Sequence, residues 1–141
     1  MNVFDFDGVV SIGLCPTAFD VIITGRGFDE CEIVYNKLQN LLGEPANWPP
    51  IYFNMKLKSQ GRTREDSGRH KAKTILQLLQ SGHQIETIFE DDPQQFAVIA
   101  KELDTVFGPM KTASFSPYGT QETIKVTRPN LCFVECPWVS K

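Results

Sequence analysis

The segment Val3-Phe4-Asp5-Phe6-Asp7-Gly8-Val9-Val10 sets two carboxylates two residues apart at the end of a short apolar run. In an extended strand, side chains two apart share a face, and Gly8 lets the backbone turn directly after them. The pair therefore suits a strand end that opens into a loop, where both carboxylates converge on one small site. Carboxylates that close repel, so either one keeps a proton or a cation sits between them. Mg²⁺, which favours carboxylate oxygens, is the natural candidate for that cation. Taken alone, the stretch reads equally well as a strand end capped by two solvated aspartates.

The same arrangement recurs along the chain. Val21-Ile22-Ile23 is a continuous apolar run, the mark of a strand buried on both faces, and it ends in Thr24-Gly25-Arg26. Ile51-Tyr52-Phe53 predicts a third short strand, and Ile85–Phe89 a fourth that runs into Glu90-Asp91-Asp92-Pro93. Between the runs lie helical spacings. Cys31, Val34, Tyr35, Leu38, Leu41 and Leu42 mark one helix, stopped by Gly43 and Pro45. Ile75, Leu76 and Leu79 mark a second, expected to begin near Arg69 and end near Gly82. Phe96, Ile99, Ala100 and Leu103 mark a third, with Asp92 able to cap it and Pro93 in its first turn. Beyond that, Thr105–Phe107 reads as a fifth strand, and Thr123–Thr127 with Leu131–Glu135 as an antiparallel pair.

Alternating strands and helices predict an α/β fold, a three-layer Rossmann-like architecture with a mostly parallel central sheet. In such sheets ligands bind beyond the carboxyl ends of the strands. Asp5/Asp7, Thr24 and Glu90/Asp91/Asp92 all fall at such ends and are expected along one sheet edge.

The 141 residues suit a single domain, 1–141, with an adequate core. A net charge of −3 excludes a global basic field for non-specific nucleic-acid binding, so any attraction to phosphates must be local. The most basic segment is 56–73, with Lys56, Lys58, Arg62, Arg64, Arg69, Lys71 and Lys73 against Glu65 and Asp66. The four cysteines show no metal-ligand spacing with the two histidines. Reduced thiols are expected, a Cys132–Cys136 bridge being the untested alternative. Asp5 and Asp7 interrupt the only N-terminal apolar run, and no stretch approaches membrane-spanning length. A soluble, cytoplasmic protein without membrane partners is the expectation. Oligomeric state is left open.

Four pieces in order resemble the haloacid dehalogenase-type phosphohydrolase superfamily over residues 3–104, with 105–141 as C-terminal strands and extension. Asp5-Phe6-Asp7-Gly8-Val9-Val10 resembles its nucleophile motif, with Val9 in place of the commoner threonine. Thr24 within Thr-Gly-Arg resembles the second motif, a lysine near residue 71 the third, and Glu90-Asp91-Asp92 the fourth. The resemblance implies Asp5 as a nucleophile forming an aspartyl-phosphate and Asp7 as general acid and base. It implies Thr24 as a hydrogen-bond donor to a phosphoryl oxygen and Lys71 as the phosphate-holding cation. Lys71 fits the family spacing better than Lys73. Mg²⁺ would lie between Asp5, the main-chain carbonyl of Asp7 and Asp91. Asp92 would be the helix cap or a further ligand, and Glu90 would orient a ligand from behind.

Family members often insert a cap domain over the site, but residues 9–20 are too few for one and 27–68 are taken up by the core. The chain thus resembles the capless type, whose open site suits a phosphate carried on something large. The Thr-Gly-Arg-Gly-Phe-Asp run, Lys56-Leu57-Lys58 and Glu90-Asp91-Asp92 are similar to the phosphatase parts of polynucleotide end-repair enzymes. On that reading Gly25, Arg26, Arg62, Arg64 and Arg69 contact a DNA or RNA end, and Tyr52, Phe53 or Trp48 stacks a base. The alternatives are a phosphatase of free nucleotides or another small phosphoester, and a binding protein that keeps the fold without turnover.

Overall fold

The alternation of apolar residues through the first strands decides the layering. The computed structural model describes residues 1–116 and 122–135. Among these, β1 (Val3–Phe4), β2 (Val21–Gly27), β3 (Ile51–Asn54), β4 (Thr87–Glu90) and β7 (Asn130–Phe133) form a five-stranded sheet ordered β3-β2-β1-β4-β7. Every neighbouring pair in it is parallel. Val3, Val21, Ile23 and Ile88 point to one face, where they pack with α2 (Arg64–Gln80) and α3 (Pro93–Phe107). Phe4, Ile22 and Phe89 point to the other, where Val34 and Leu38 of α1 (Cys31–Leu42) close over them. Both faces are therefore apolar and covered, as a parallel sheet requires. This is an α/β fold with helices on both sides of a mostly parallel sheet, compatible with a Rossmann-like topology.

Strand order puts the site at β1. The chain steps outward from β1 to β2 and β3, then returns to place β4 on β1's other side. Order reverses there, and the crevice beyond the carboxyl ends at such a point is where open α/β sheets bind ligands. Among the described residues, the connection from β1 to β2 contains one 3₁₀ turn, Val10–Ile12. The stretch from β2 to α2 holds only α1, β3 and short 3₁₀ turns. No described helix is long and apolar enough to cross a membrane.

Three expectations need correction. α2 begins at Arg64, not near Arg69, because Thr63 caps it: Thr63 Oγ1 accepts from Asp66 N–H at 3.1 Å and Asp66 Oδ2 accepts from Thr63 N–H at 2.9 Å. That reciprocal pair is a capping box with Asp in place of the usual Glu, and it makes much of the basic segment helical. Thr105–Phe107 is the last turn of α3, not a strand. Ile99, Leu103 and Phe107 recur every four residues and are all buried against the same core. Finally, Thr123–Thr127 and Leu131–Glu135 do not pair. β6 (Ile124–Thr127) lies antiparallel to β5 (Thr112–Phe115), whereas β7 joins the main sheet parallel to β4. Arg128 and Pro129 carry the chain between the sheets, with Asn130 N–H already donating to Glu86 O at 2.8 Å.

Cys15, Cys31 and Cys132 are free thiols, and Cys136 lies outside the described residues.

The capping box makes the start of α2 testable. Thr63→Ala should lower stability by about 1 kcal/mol, read as a reduced urea midpoint with an unchanged denaturant slope.

Candidate active site

Parallel pairing of β1 with β4 sets Phe4 opposite Phe89, so the next residues, Asp5 and Glu90, emerge side by side. Asp5 N–H continues the ladder onto Phe89 O at 3.1 Å. Both carboxylates are buried, and Lys71 reaches between them from the second turn of α2. Its ammonium donates to Asp5 Oδ1 at 2.8 Å and to Glu90 Oε1 at 2.5 Å. Lys71 is itself only 3% exposed. Lys73, the rival candidate, lines a different groove, beside Tyr52 and Gln77.

Two carboxylates against one ammonium leave a buried negative charge in excess. Burial pushes Asp5 up to about 7 against the opposing pull of Lys71, and it pushes Glu90 up to about 7 in the same way. Burial acts to lower Lys71, but the charges of Asp5 and Glu90 prevail and hold it above its ordinary value. Asp91 adds a third carboxylate within hydrogen-bonding reach of Asp5, and its own value is raised, mainly by desolvation. One oxygen each of Asp5, Glu90 and Asp91 lie within 4.8 Å of one another.

That donor set suits a hard divalent cation, which prefers carboxylate oxygens and would offset the excess charge. The Glu90 oxygens already have partners: Oε1 holds Lys71, and Oε2 accepts from the N–H groups of Asp91 and Asp92 at 3.0 and 3.1 Å. Asp5 and Asp91 are therefore the better ligands, with Glu90 orienting Lys71 and the start of α3. Gly8 is required beside them. Its φ is +76°, and an added Cβ would stand 1.9 Å from Asp91 Oδ2.

The Asp7 side chain turns away from this cluster. Arg26 grips it with two hydrogen bonds, Nε to Oδ2 at 2.9 Å and Nη2 to Oδ1 at 3.0 Å. Arg26 Nη1 donates to Glu30 Oε2 at 2.6 Å, and Arg62 Nη2 donates to the other Glu30 oxygen. Partial burial pushes Glu30 upward, but the hydrogen bond from Arg62 and the charge of Arg26 hold it below its ordinary value. Arg64 makes a bidentate pair with Asp92, at 2.8 and 2.7 Å.

These groups wall an open cavity of about 340 Å³ above Asp5 and Lys71, to which Gly25, Arg26, Arg62, Arg64 and Asp91 all contribute. Arg69 stands apart from it, paired with Glu65 at 2.6 Å on the exposed side of α2. Thr24, expected to donate to a phosphoryl oxygen, is completely buried and does not line the cavity; its hydroxyl oxygen accepts from Arg26 N–H at 3.1 Å. Of the aromatic candidates, Trp48 stacks on Tyr35, and Phe53 packs edge-on against Tyr35 and Phe28. Tyr52 lines a groove that shares no residue with the cavity.

Sequence reasoning passed over Glu30, Ser67 and Gln95, which also line the cavity. Ser67 was findable, standing one helical turn before Lys71 on the same face. Gln95 stands three residues after the Asp92 cap and leaves Oε1 buried with no partner among the described residues. Glu30 gives no such signal, because its role depends on two arginines that only folding brings together. No family model, curated protein or solved structure matches the chain.

The sign of the carboxylate shifts gives a test. Folded Asp5 and Glu90, raised from 3.8 and 4.5 to about 7, bind more protons than their unfolded forms between those limits. Their contribution to metal-free stability is therefore full at low pH and lost as pH rises through about 7. Mg²⁺ should raise Tm, and by more at pH 8 than at pH 5, where protons compete for the same oxygens. Differential scanning fluorimetry with and without Mg²⁺ reads this directly, and a pH-independent increment would contradict the assigned ligands.

Proposed function

We propose that the protein is a phosphoric monoester hydrolase that works through an aspartyl-phosphate, a capless member of the haloacid dehalogenase-type superfamily. The observation that carries this reading is the buried ammonium of Lys71 held on Asp5 Oδ1, with Asp91 beside it, at the floor of a cavity walled by arginines. A carboxylate nucleophile attacking a phosphate dianion needs its charge and that of the phosphoryl oxygens offset, and fixed cations in a dry site do this with little reorganisation. Mg²⁺ held by Asp5 and Asp91, with the Asp7 carbonyl, would supply further charge neutralisation at the phosphoryl oxygens.

The chain's own groups divide the remaining work. Asp5 forms a bond to phosphorus as the bond from phosphorus to the leaving oxygen breaks, and Asp7 gives that oxygen its proton. Water then attacks the phosphoenzyme, Asp7 takes its proton, and inorganic phosphate leaves with Asp5 restored. Lys71 and Glu90 hold Asp5 in one orientation throughout. Arg26 ties both oxygens of Asp7, so an arriving phosphate competes for its guanidinium and releases Asp7 for proton transfer.

The substrate we favour carries its phosphate on a nucleic-acid end. The open cavity and the absence of an inserted domain among the described residues support a bulky substrate. The second reading, a free nucleotide or another small phosphoester, is favoured by the pairing of Arg26, Arg62 and Arg64 with Asp7, Glu30 and Asp92. Such pairing weakens the pull on a long polyanion.

Phosphate release in Mg²⁺ from 3′- and 5′-phosphorylated oligonucleotides, nucleoside monophosphates and p-nitrophenyl phosphate separates these readings. Preference for an oligonucleotide is expected; preference for mononucleotides makes the enzyme a nucleotidase, and no release from any returns it to a binding protein. Asp5→Asn should abolish turnover while leaving Tm at pH 8 unchanged or raised, because it removes a buried charge in excess. Asp7→Asn should slow both formation and breakdown of the phosphoenzyme in rapid-quench experiments. Substantial turnover by either variant would end the mechanism.

A further inference from the structure

A second groove adjoins the candidate site at Asp7 and Arg26, and Arg62 and Arg64 do not line it. It has a volume of about 480 Å³ and shares Asp7 and Arg26 with the first cavity. Its far wall is one stripe of α1, formed by Ile33, Asn36, Lys37 and Asn40 at positions i, i+3, i+4 and i+7. The helix's core stripe is Val34 and Leu38, and this wall lies to one side of it, on the flank of the helix that faces Phe6 and Asp7 across the groove. Ser11 closes the near end, its hydroxyl oxygen accepting from Gly8 N–H at 2.9 Å.

The bonding state of this wall differs from that of the cavity. Arg26, Arg62 and Arg64 are all paired with carboxylates. By contrast, Lys37 has no ion pair among the described residues, and the amides of Asn36 and Asn40 have no hydrogen-bond partner there. Ile33 is 52% exposed. Among the described residues, the only carboxylate lining the groove is Asp7, whose two oxygens are both taken by Arg26. An apolar contact, two unused amides and an unpaired cation, free of competing anions, match a heterocyclic base followed by a phosphodiester.

Resting on the phosphatase reading above, we propose that this groove is the leaving-group subsite and takes the terminal nucleoside of a single-stranded nucleic acid. The reason is stereochemical. The leaving oxygen must touch the proton donor, Asp7, and must lie in line with Asp5 across phosphorus. A nucleoside attached to that oxygen extends past Asp7, and the groove begins there. Ile33 packs on the sugar or base, the amides of Asn36 and Asn40 hydrogen-bond the base edge as asparagine does with adenine, and Lys37 meets the next phosphate. The rival aromatic groove beside Phe28, Tyr52 and Met55 shares no residue with the cavity and cannot receive a group bonded to the oxygen at Asp7.

Two measurements test this, one of them independent of turnover. In the first, the side-chain amides of ¹⁵N-labelled protein are followed by NMR while the unphosphorylated dinucleotide d(ApA) is added. Saturable shifts of the Asn36 and Asn40 amides are expected. No shifts, or shifts confined to the Phe28–Met55 groove or the Arg62–Arg64 wall, overturn the subsite. So do amide positions that move with protein concentration alone, which would mean that a second copy covers this face. In the second, the exposed pair is changed together, Asn36→Ala with Asn40→Ala, and Ile33→Ala is made separately. Each should lower kcat/KM for phosphorylated d(ApA) about ten-fold, the loss of one good base contact. Activity on p-nitrophenyl phosphate, which has no nucleoside, should stay unchanged. Equal losses on both substrates, or none on either, overturn the subsite and leave the phosphatase intact. If the native protein releases phosphate from nothing, the phosphatase reading fails, and the d(ApA) titration decides the groove by itself.

Discussion

The contact on which the rest of the site depends is the ammonium of Lys71 between Asp5 and Glu90. It joins three elements at one point: the end of β1, the end of β4 and the second turn of α2. Taking such charges out of water costs several kcal/mol per ion, and removing Lys71 would leave two buried carboxylates uncompensated. A cluster of this kind is a poor way to gain stability. What it does is hold a carboxylate at fixed orientation at the carboxyl edge of a parallel sheet. The negative charge left over lies where Asp5, Glu90 and Asp91 could hold a cation.

Around this centre a second tier of charge is arranged differently. Asp7, Arg26, Glu30 and Arg62 form a linked series, and Arg64 with Asp92 ties α2 to the cap of α3. These groups are partly solvated, so each link is weaker than those of the buried triad. The cavity is therefore preorganised at its floor and adaptable at its wall. Glu30, at the start of α1, belongs to this series, whereas Ile33, Asn36, Lys37 and Asn40 further along the helix take no part in it.

Several parts of this arrangement were legible in the sequence, each for a local reason. Apolar runs too short for helices and bounded by polar residues marked β1, β2, β3 and β4. Asp92-Pro93 marked the start of α3, and Asp92 indeed accepts from the N–H groups of Gln94 and Gln95. The start of α2 was missed because Arg64, Glu65 and Asp66 carry no apolar periodicity, and the capping box at Thr63 was the signal to read instead. The C-terminal strands were mispaired because nearness in sequence favoured a hairpin, whereas burial of Val126 against α2 and α3 drew β6 into the smaller sheet with β5.

The sequence by itself placed Asp5, Thr24 and Glu90-Asp91-Asp92 along one sheet edge, because the ends of short apolar strands are set by local pattern. Lys71 was preferred to Lys73 on the spacing that the family resemblance implies, but only the tertiary structure shows Lys71 buried against both Asp5 and Glu90. Folding alone decided how the charges pair: Asp7 with Arg26, Arg64 with Asp92, and Arg69 with Glu65 away from the cavity. Ion pairing depends on distances of a few ångströms between residues far apart in the chain. No one-dimensional pattern encodes those distances; the packing of α1 and α2 against opposite faces of the sheet does.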